Sequence, residues 1–235
     1  MDSVVLLDAL ARECPRSGRA LRAVHVHHGL SPNADRWAAF CERFCESRAV
    51  PLSIERVKVP RGSGAGLEAA AREARYSIYA AREEPYVALA HHLDDQAETL
   101  LLQLLRGTGL KGMAGMPPLR RLRGSPVTLW RPLLALPRSQ IHARARELDL
   151  QWMDDESNAA TVQDRNFLRH AVAPLLDARF EGWRDALARF ARHAAEAQEL
   201  LAARARADGA GDEPSLAIDA SLSAARRANA LRQFL

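Results

Sequence analysis

The sequence predicts an α/β protein with a Rossmann-like, doubly wound parallel sheet, followed by a helical segment. The first reason is that short apolar runs alternate with helical patterns through the first 150 residues, the order that builds parallel βαβ units. The second is that polar, motif-like segments follow the ends of these runs, where open α/β sheets bind their ligands. After residue 150 the alternation stops, so we expect the remainder to be helical.

Each predicted element rests on its own local pattern. Short apolar runs predict four strands, at residues 21–27, 54–59, 86–91 and 127–133. Apolar spacings of three and four predict helices that open at Asp2-Ser3 and that cover 37–45, 67–82, 99–106, 137–148 and 182–206. Ser31 before Pro32 is a predicted N-cap of the second helix. Gly62, Gly64 and Gly66 form a predicted turn before the third.

The chain is predicted to hold one complete unit and the start of another. Residues 1–206 form the predicted catalytic domain, 207–215 a linker rich in Gly, Asp and Pro, and 216–235 the start of a truncated second domain. No strand precedes the first helix, whereas a doubly wound domain normally opens on a strand. We therefore expect that the first strand, which belongs in the middle of the sheet, is missing and that both ends are truncated.

Composition narrows the classes of protein. No apolar run approaches the roughly 18 residues of a membrane helix, so no membrane association is predicted. Three cysteines in 235 residues favour a reducing cytoplasm over a disulfide framework. The net charge is +4, and Lys58 and Lys111 are the only lysines beside many arginines. This mild positive balance permits a nucleic-acid partner without indicating one.

The segment 90–99, Ala-His-His-Leu-Asp-Asp-Gln-Ala-Glu-Thr, is the strongest site candidate. If a helix begins near His91, then His91, Asp95 and Glu98 fall at i, i+4 and i+7 and share one face. Carboxylates that face a phosphate need a divalent cation, normally magnesium, and zinc is the weaker alternative. A histidine beside them could hydrogen-bond phosphates or move a proton. The alternative is that Asp94 or Asp95 caps the helix and that Glu98, a few residues later, makes the reciprocal capping contact.

Six segments, in this order and spacing, resemble the tRNA(Ile)-lysidine synthases, which are N-type ATP pyrophosphatases of the PP-loop family. They are His-Val-His-His-Gly-Leu at 25–30, Ala-Arg-x-x-Arg-Tyr at 71–76, the 90–107 segment, Arg-Pro-Leu-Leu at 131–134, Asp-Glu-Ser-Asn at 155–158 and Asp-Arg-Asn-Phe-Leu-Arg at 164–169.

The related tRNA 2-thiocytidine synthetases need a Cys-x-x-Cys pair, which this sequence lacks. Cys41 and Cys45, four residues apart, are predicted to be buried in a helix face.

The resemblance implies a two-step reaction. ATP adenylates the C2 carbonyl oxygen of the wobble cytidine in tRNA(Ile) with a CAU anticodon, and L-lysine then attacks C2 and releases AMP. It implies ATP and Mg²⁺ as cofactors, with L-lysine as co-substrate and that tRNA as partner. A homodimer is left open. Two alternatives stay open as well: an N-type ATP pyrophosphatase with another nucleophile such as ammonia, or an inactive fragment without the phosphate-loop glycines.

The resemblance also implies residues for the ATP half of the site. Asp2 and Ser3 match the end of the family's Ser-Gly-Gly-x-Asp-Ser phosphate loop, so Asp2 would contact Mg²⁺ or ATP. An N-cap of the first helix is the other role for Asp2 and Ser3. His27 would lie near adenine, although His25 and His27 share a strand face and at least one is expected to be packed in the core. Arg131 would face a phosphate or a carboxylate.

The catalytic residues that the resemblance implies are Asp95, Glu98, His91 and Arg165, with Asp95 as a second magnesium ligand. Arg165 would contact a phosphate or a base, whereas Arg169 could equally form a salt bridge with Asp164. Asp155, Ser157 and Asn158 either belong to the site or form a turn and an N-cap. Arg72 either belongs to the site or forms a helix pair with Glu68, four residues before it.

Overall fold

The computed structural model describes residues 1–60, 67–153, 164–209, 219 and 221–234. The predicted turn at Gly62, Gly64 and Gly66, the site candidates Asp155, Ser157 and Asn158, and most of the predicted linker lie outside the described residues. So does the side chain of Glu68, and with it the predicted pair with Arg72. Residue contacts divide the chain into two compact units, Met1–Leu93 with Pro117–Ala159 and Asp94–Met116 with Ala160–Leu235.

Helices dominate the chain, and the strands are short. In chain order the elements are α1 (Asp2–Arg16), β1 (Ala23–His27), α2 (Ala34–Glu46), β2 (Leu52–Arg56), α3 (Leu67–Ala80), β3 (Tyr86–Ala88), α4 (Leu93–Leu105), α5 (Leu110–Met113), β4 (Leu119–Arg121), β5 (Thr128–Trp130), α6 (Arg138–Glu147), α7 (Asp164–Phe167), a π-helical segment (Leu168–Val172), α8 (Ala173–Arg179), α9 (Trp183–Ala207) and α10 (Ala224–Phe234). No described helix is both long enough and apolar enough to cross a lipid bilayer.

The first unit holds the parallel strand pairs that the sequence predicts, in two sheets rather than one. β1 pairs with β2 in parallel. β5 lies between β3, which is parallel to it, and β4, which is antiparallel. The first strand that the sequence predicts to be missing belongs between those ending near His27 and His91, and the sheets of the described residues have no strand there. The α/β class with parallel pairing is confirmed, and β4 was not predicted.

Two apolar cores hold the first unit together. Val5 and Leu6 of α1 pack with Ile141 and Ala145 of α6. Val127, just before β5, and Leu129 within it are fully buried, and both belong to a core that includes the buried Leu122. Burial at this level removes the apolar side chains from water, which is the main favourable term in folding. These cores fix the strands whose carboxyl ends carry the motif residues.

Two helix caps differ from the prediction. The N-cap of α1 is Met1 and no side chain caps the helix, so Asp2 lies inside the first turn. The N-cap of α2 is Asn33 rather than Ser31. The hydroxyl of Ser31 accepts the backbone N–H of Asn33 at 3.0 Å, which closes a turn before the helix. The capping roles predicted for Asp2 and Ser31 were therefore wrong, because each helix begins at a different residue.

The second unit is helical. Leu100 of α4 is fully buried against Met113 of α5 and against Ala191 and Ala194 of α9. Trp183, at the start of α9, packs with Ala97 of α4. The helix predicted at 182–206 is therefore present as α9. α10 packs against α9, and the predicted boundaries at 206 and 215 stay predictions.

Candidate active site

The 90–99 motif follows β3 and enters α4, and the boundary between the two units falls inside it. His91 and His92 belong to the first unit, whereas Asp95 and Glu98 belong to the second. α4 begins at Leu93, whose N–H donates to the carbonyl of Leu136 at 2.9 Å. His91 therefore precedes the helix, and the prediction that it shares a helix face with Asp95 and Glu98 was wrong. Asp95 and Glu98 do share that face, being three residues apart.

In the first unit, His92 lies beside Asp2. His92 is only 2% exposed, and its Nε2 lies 3.9 Å from Oδ2 of Asp2. The other oxygen, Oδ1 of Asp2, is buried and has no hydrogen-bond partner among the described residues. A buried acceptor without a donor is costly unless a ligand satisfies it. Ser3, predicted to act with Asp2, is exposed on α1.

Arg131 holds His91 in a defined orientation. Arg131 directly follows β5 and is 3% exposed. Its Nε donates to Nδ1 of His91 at 3.3 Å, and its Nη1 donates to the carbonyl of Pro117 at 2.7 Å. Because Nδ1 of His91 accepts the hydrogen bond from Arg131, a neutral His91 carries its proton on Nε2. The structure thus brings together two residues that the sequence analysis selected separately.

His27, at the end of β1, is 7% exposed and already engaged. Its Nε2 lies 3.2 Å from Oδ1 of Asp35 and 3.3 Å from Nη1 of Arg56. Arg56 also pairs with Asp35 at 2.9 Å, and the hydrogen bond from Arg56 is the largest cause of the lowered pKa of the Asp35 carboxyl. The His25 and His27 rings touch edge to face, 6.3 Å between centroids, so the two residues share a strand face as predicted.

In the second unit, Glu98 is the centre of an ion-pair cluster. Glu98 is 4% exposed. Arg169 binds it with two parallel hydrogen bonds, Nε to Oε1 at 2.7 Å and Nη2 to Oε2 at 2.9 Å. Nε of Arg165 lies 3.2 Å from Oε2 of Glu98. The two parallel bonds from Arg169 are the strongest arrangement for a guanidinium and a carboxylate.

The same two arginines connect Glu98 to its neighbours on α4. Nη2 of Arg169 reaches Oδ1 of Asp95 at 3.3 Å, and Nη2 of Arg165 donates to the Thr99 hydroxyl at 2.8 Å. Arg169 lies in the π-helical segment that follows α7, and π turns are frequent at functional sites. The sequence left open a salt bridge between Arg169 and Asp164. The structure pairs Asp164 with Arg106 instead, at 3.7 Å.

The predicted magnesium ligands, Asp2 and Asp95, differ in how well they fit a cation. The orphaned Oδ1 of Asp2 suits a cation or a hydrogen-bond donor from a ligand. Asp95 already has the positive charge of Arg169 beside it. No group of three or more His, Cys, Asp or Glu side chains placed to hold a metal occurs in the described part of the chain. Asp2 is therefore the residue whose surroundings support the prediction.

The cysteines are free thiols in helical segments. Cys41 is partly buried, Cys45 is buried, and Cys14 lies near the end of α1. Burial raises the pKa of Cys41 to about 11 and also raises the pKa of Cys45. Thiols held in the neutral form are poor nucleophiles and poor metal ligands. The buried, structural role predicted for Cys41 and Cys45 agrees with this.

A family model described as the PP-loop domain matches residues 1–176 of the chain. The chain belongs to the PP-loop domain family. The resemblance inferred from the six segments is thereby confirmed at the level of the family and its fold. The match includes the His91–Thr99 motif, Arg131, Arg165 and Arg169 within one PP-loop domain.

Three curated relatives of this PP-loop chain share the name tRNA(Ile)-lysidine synthase. The tRNA(Ile)-lysidine synthase of Chromobacterium violaceum is 48% identical over 240 residues, which cover the whole of this chain and 55% of the relative. That of Nitrosomonas europaea is 46% identical, again over the whole of this chain and over 52% of the relative. That of Azoarcus sp. is 48% identical over 99% of this chain and 52% of the relative. The chain thus spans about half the length of the curated relatives it matches.

A solved structure agrees with the fold. The U34-tRNA thiolase NcsA from Methanococcus maripaludis, solved with its [4Fe-4S] cluster, matches with a TM-score of 0.65. The match covers 82% of this chain and 68% of that one, at 18% sequence identity. At that identity the likeness supports the PP-loop fold and nothing about the chemistry.

Proposed function

We propose that this protein joins L-lysine to C2 of the wobble cytidine in tRNA(Ile) with a CAU anticodon, at the expense of ATP. The observation that carries the proposal is the match, over the whole chain and at 46–48% identity, to curated relatives named tRNA(Ile)-lysidine synthase. Membership of the PP-loop domain family supports ATP as the activating substrate. ATP, tRNA and lysine meet in the cytoplasm, which we propose as the location.

The proposed reaction has two balanced steps. The C2 carbonyl oxygen attacks the α-phosphorus of ATP, so that an O–P bond forms and pyrophosphate leaves. An amine of lysine then attacks C2, the bond from C2 to the adenylate oxygen breaks, AMP leaves and the amine loses a proton. Adenylation is needed because an unmodified carbonyl oxygen is a poor leaving group.

Residues of the first unit are proposed to act on ATP. Asp2 would hold Mg²⁺ through its orphaned Oδ1; the ion, when bound, offsets charge on the phosphates. The N–H at Nε2 of His91, oriented by the hydrogen bond that Nδ1 accepts from Arg131, would donate a hydrogen bond to a phosphate oxygen of ATP or of the departing pyrophosphate. Ser3 and His27 stay proposals as further ATP contacts, and His27 would have to share its bonds to Asp35 and Arg56.

Residues of the second unit are proposed to act around the nucleophile. The ammonium groups of lysine need carboxylates, and Asp95 and Glu98 are the described candidates; Asp155 lies outside the described residues. Arg169 fixes both carboxylates, since it bonds to each. Arg165 is proposed to contact a phosphate, because it reaches Glu98 and Thr99 through only part of its five N–H donors.

The proposal is tested by measuring AMP release from ATP in the presence of tRNA(Ile) transcript carrying a CAU anticodon. We expect release that depends on L-lysine and is lost in Asp95→Asn. Asp185→Asn is the matched control, because Asp185 is an exposed carboxylate on α9 of the same unit. AMP release that needs ammonia or a sulfur donor instead of lysine would rule the assignment out.

A further inference from the structure

Arg131 is a buried cation that has no carboxylate partner among the described residues. It is 3% exposed. Its hydrogen bonds go to the carbonyl of Pro117 and to Nδ1 of His91, and its guanidinium also interacts with the Tyr76 hydroxyl. None of these partners carries a full negative charge at neutral pH. Burial of an unneutralised charge is costly, so an anionic ligand would stabilise this arrangement.

Two more guanidinium groups surround the same tyrosine. The central carbon of the Arg72 guanidinium lies 4.8 Å from the centroid of the Tyr76 ring, and that of Arg120 lies 5.3 Å from it. Nη2 of Arg72 also donates to the Tyr76 hydroxyl at 2.9 Å. Cation–π contacts hold arginine side chains in place without neutralising them. Tyr76 thus gathers three positive charges, those of Arg72, Arg120 and Arg131, which we call the Tyr76 cluster.

The electrostatics of the Tyr76 cluster differ from those of other buried charges in the chain. Asp8, 1% exposed, is bound by both Arg12 and Arg48, and Glu98 is bound by Arg165 and Arg169. In the Tyr76 cluster the arginines repel one another instead. Burial above all lowers the pKa of Arg131, Tyr76 raises it, and the charges of Arg120 and Arg72 lower it further. A phosphate group, with several acceptor oxygens, matches guanidinium forks in geometry and charge.

The position of the cluster in the fold suits a polymer. Arg131 follows β5, and Arg120 lies on β4, the edge strand, opposite Leu129. Every residue of β4 is exposed. The exposed Arg121 and Arg123 continue the positive charge along the same hairpin. A row of cations beyond a single pocket matches a chain of phosphates better than one nucleotide.

We propose that Arg72, Arg120 and Arg131 bind a backbone phosphate of the RNA substrate at the edge of the β3–β5–β4 sheet. This inference rests on the proposed function, because it takes the tRNA as the source of the phosphate. Phosphates of ATP have the same chemistry, so the experiment has to separate the two sources. Contacts to a backbone phosphate position an RNA and add affinity that depends on salt.

The experiment measures binding of tRNA(Ile) transcript with a CAU anticodon to the full chain at several salt concentrations, and ATP binding in parallel. The variants are Arg120→Gln and Arg72→Gln. Arg146→Gln is the control: it removes the same charge from an exposed arginine on α6 of the same unit, outside the Tyr76 cluster and the β4 hairpin. These arginines are exposed, so folding should survive, and circular dichroism verifies it.

We expect Arg120→Gln and Arg72→Gln each to weaken RNA binding about tenfold and to lower the salt slope by about one, with ATP affinity unchanged. Arg146→Gln should change RNA binding by no more than the loss of any one surface charge would. Equal effects in all three variants would overturn the inference and leave the proposed function intact, as would a loss of ATP affinity with RNA affinity retained. Failure of the unaltered chain to bind this RNA would count against the proposed RNA partner itself.

Discussion

At the level of single residues, Glu98 and its two arginines are the best-defined part of the candidate site. The sequence predicted that Asp95 and Glu98 share a helix face, because the three-residue spacing depends only on local geometry. It could not pair Glu98 with Arg169, which is 71 positions away and lies in a π-helical turn. It also could not show that, among the described residues, no donor reaches one carboxylate oxygen of Asp2.

Replacing Glu98 with Gln should destabilise the protein measurably. The substitution removes the charge that Arg165 and Arg169 share, both of them less than one-third exposed. We expect the free energy of unfolding in urea to fall by about 2–4 kcal/mol. Glu196→Gln, at an exposed pair with His193 on α9, should change it by less than about 0.5 kcal/mol. Equal losses in the two variants would show that the Glu98 cluster contributes no more than a surface pair.

His25 should make stability depend on pH. Burial, and then His27, lower the pKa of His25 below its ordinary value of 6.5. The unfolded chain therefore takes up a proton on His25 at a higher pH than the folded chain does. The contribution of His25 to the free energy of unfolding is thus present above the ordinary pKa and is lost as the pH falls below it. In His25→Gln the free energy of unfolding should fall less between about pH 7.5 and 5.5 than in the unaltered protein. His193→Gln, which changes an exposed histidine, is the control. An equal fall in the free energy of unfolding of His25→Gln and of the unaltered protein would contradict this prediction.

At the level of elements, the sequence predicted the strands that are at least partly buried and missed β4, which is exposed throughout. β1, β3 and β5 lie inside predicted apolar runs and are shorter than them, whereas β2 overlaps its run but begins two residues before it. β4 consists of three exposed residues, two of them arginine, so it shows neither an apolar run nor alternation. It forms because the hairpin from Arg121 to Thr128 brings it beside β5. Arg120, which it carries, was missed for the same reason.

β5 is the strand on which the three-stranded sheet depends. Leu129 at its centre is fully buried, so Leu129→Ala should lower the free energy of unfolding by about 2–5 kcal/mol. Leu119→Ala on β4, where the side chain is 55% exposed, should cost less than about 1 kcal/mol. Urea denaturation of both variants provides the comparison. A small loss for Leu129→Ala would mean that the sheet does not need a packed centre.

At the level of the whole molecule, the family could be inferred from sequence because six motif segments keep their order and spacing. Their order reflects a fold that brings strand ends and helix starts to one edge of each sheet. The chemistry at those edges depends on pairings between distant segments, as between His91 and Arg131, 40 positions apart. The two-unit division was not predicted, since it separates residues that are adjacent in the motif.

The central claim is that lysine becomes attached to a cytidine in tRNA. The most direct measurement is mass spectrometry of the nucleosides of tRNA(Ile) transcript with a CAU anticodon after incubation with the protein, ATP, Mg²⁺ and isotope-labelled L-lysine. We predict that the wobble cytidine gains the labelled lysine in place of its C2 oxygen, and only when ATP is present. A wobble cytidine that stays unchanged, or that gains nitrogen or sulfur from another donor, would contradict the account.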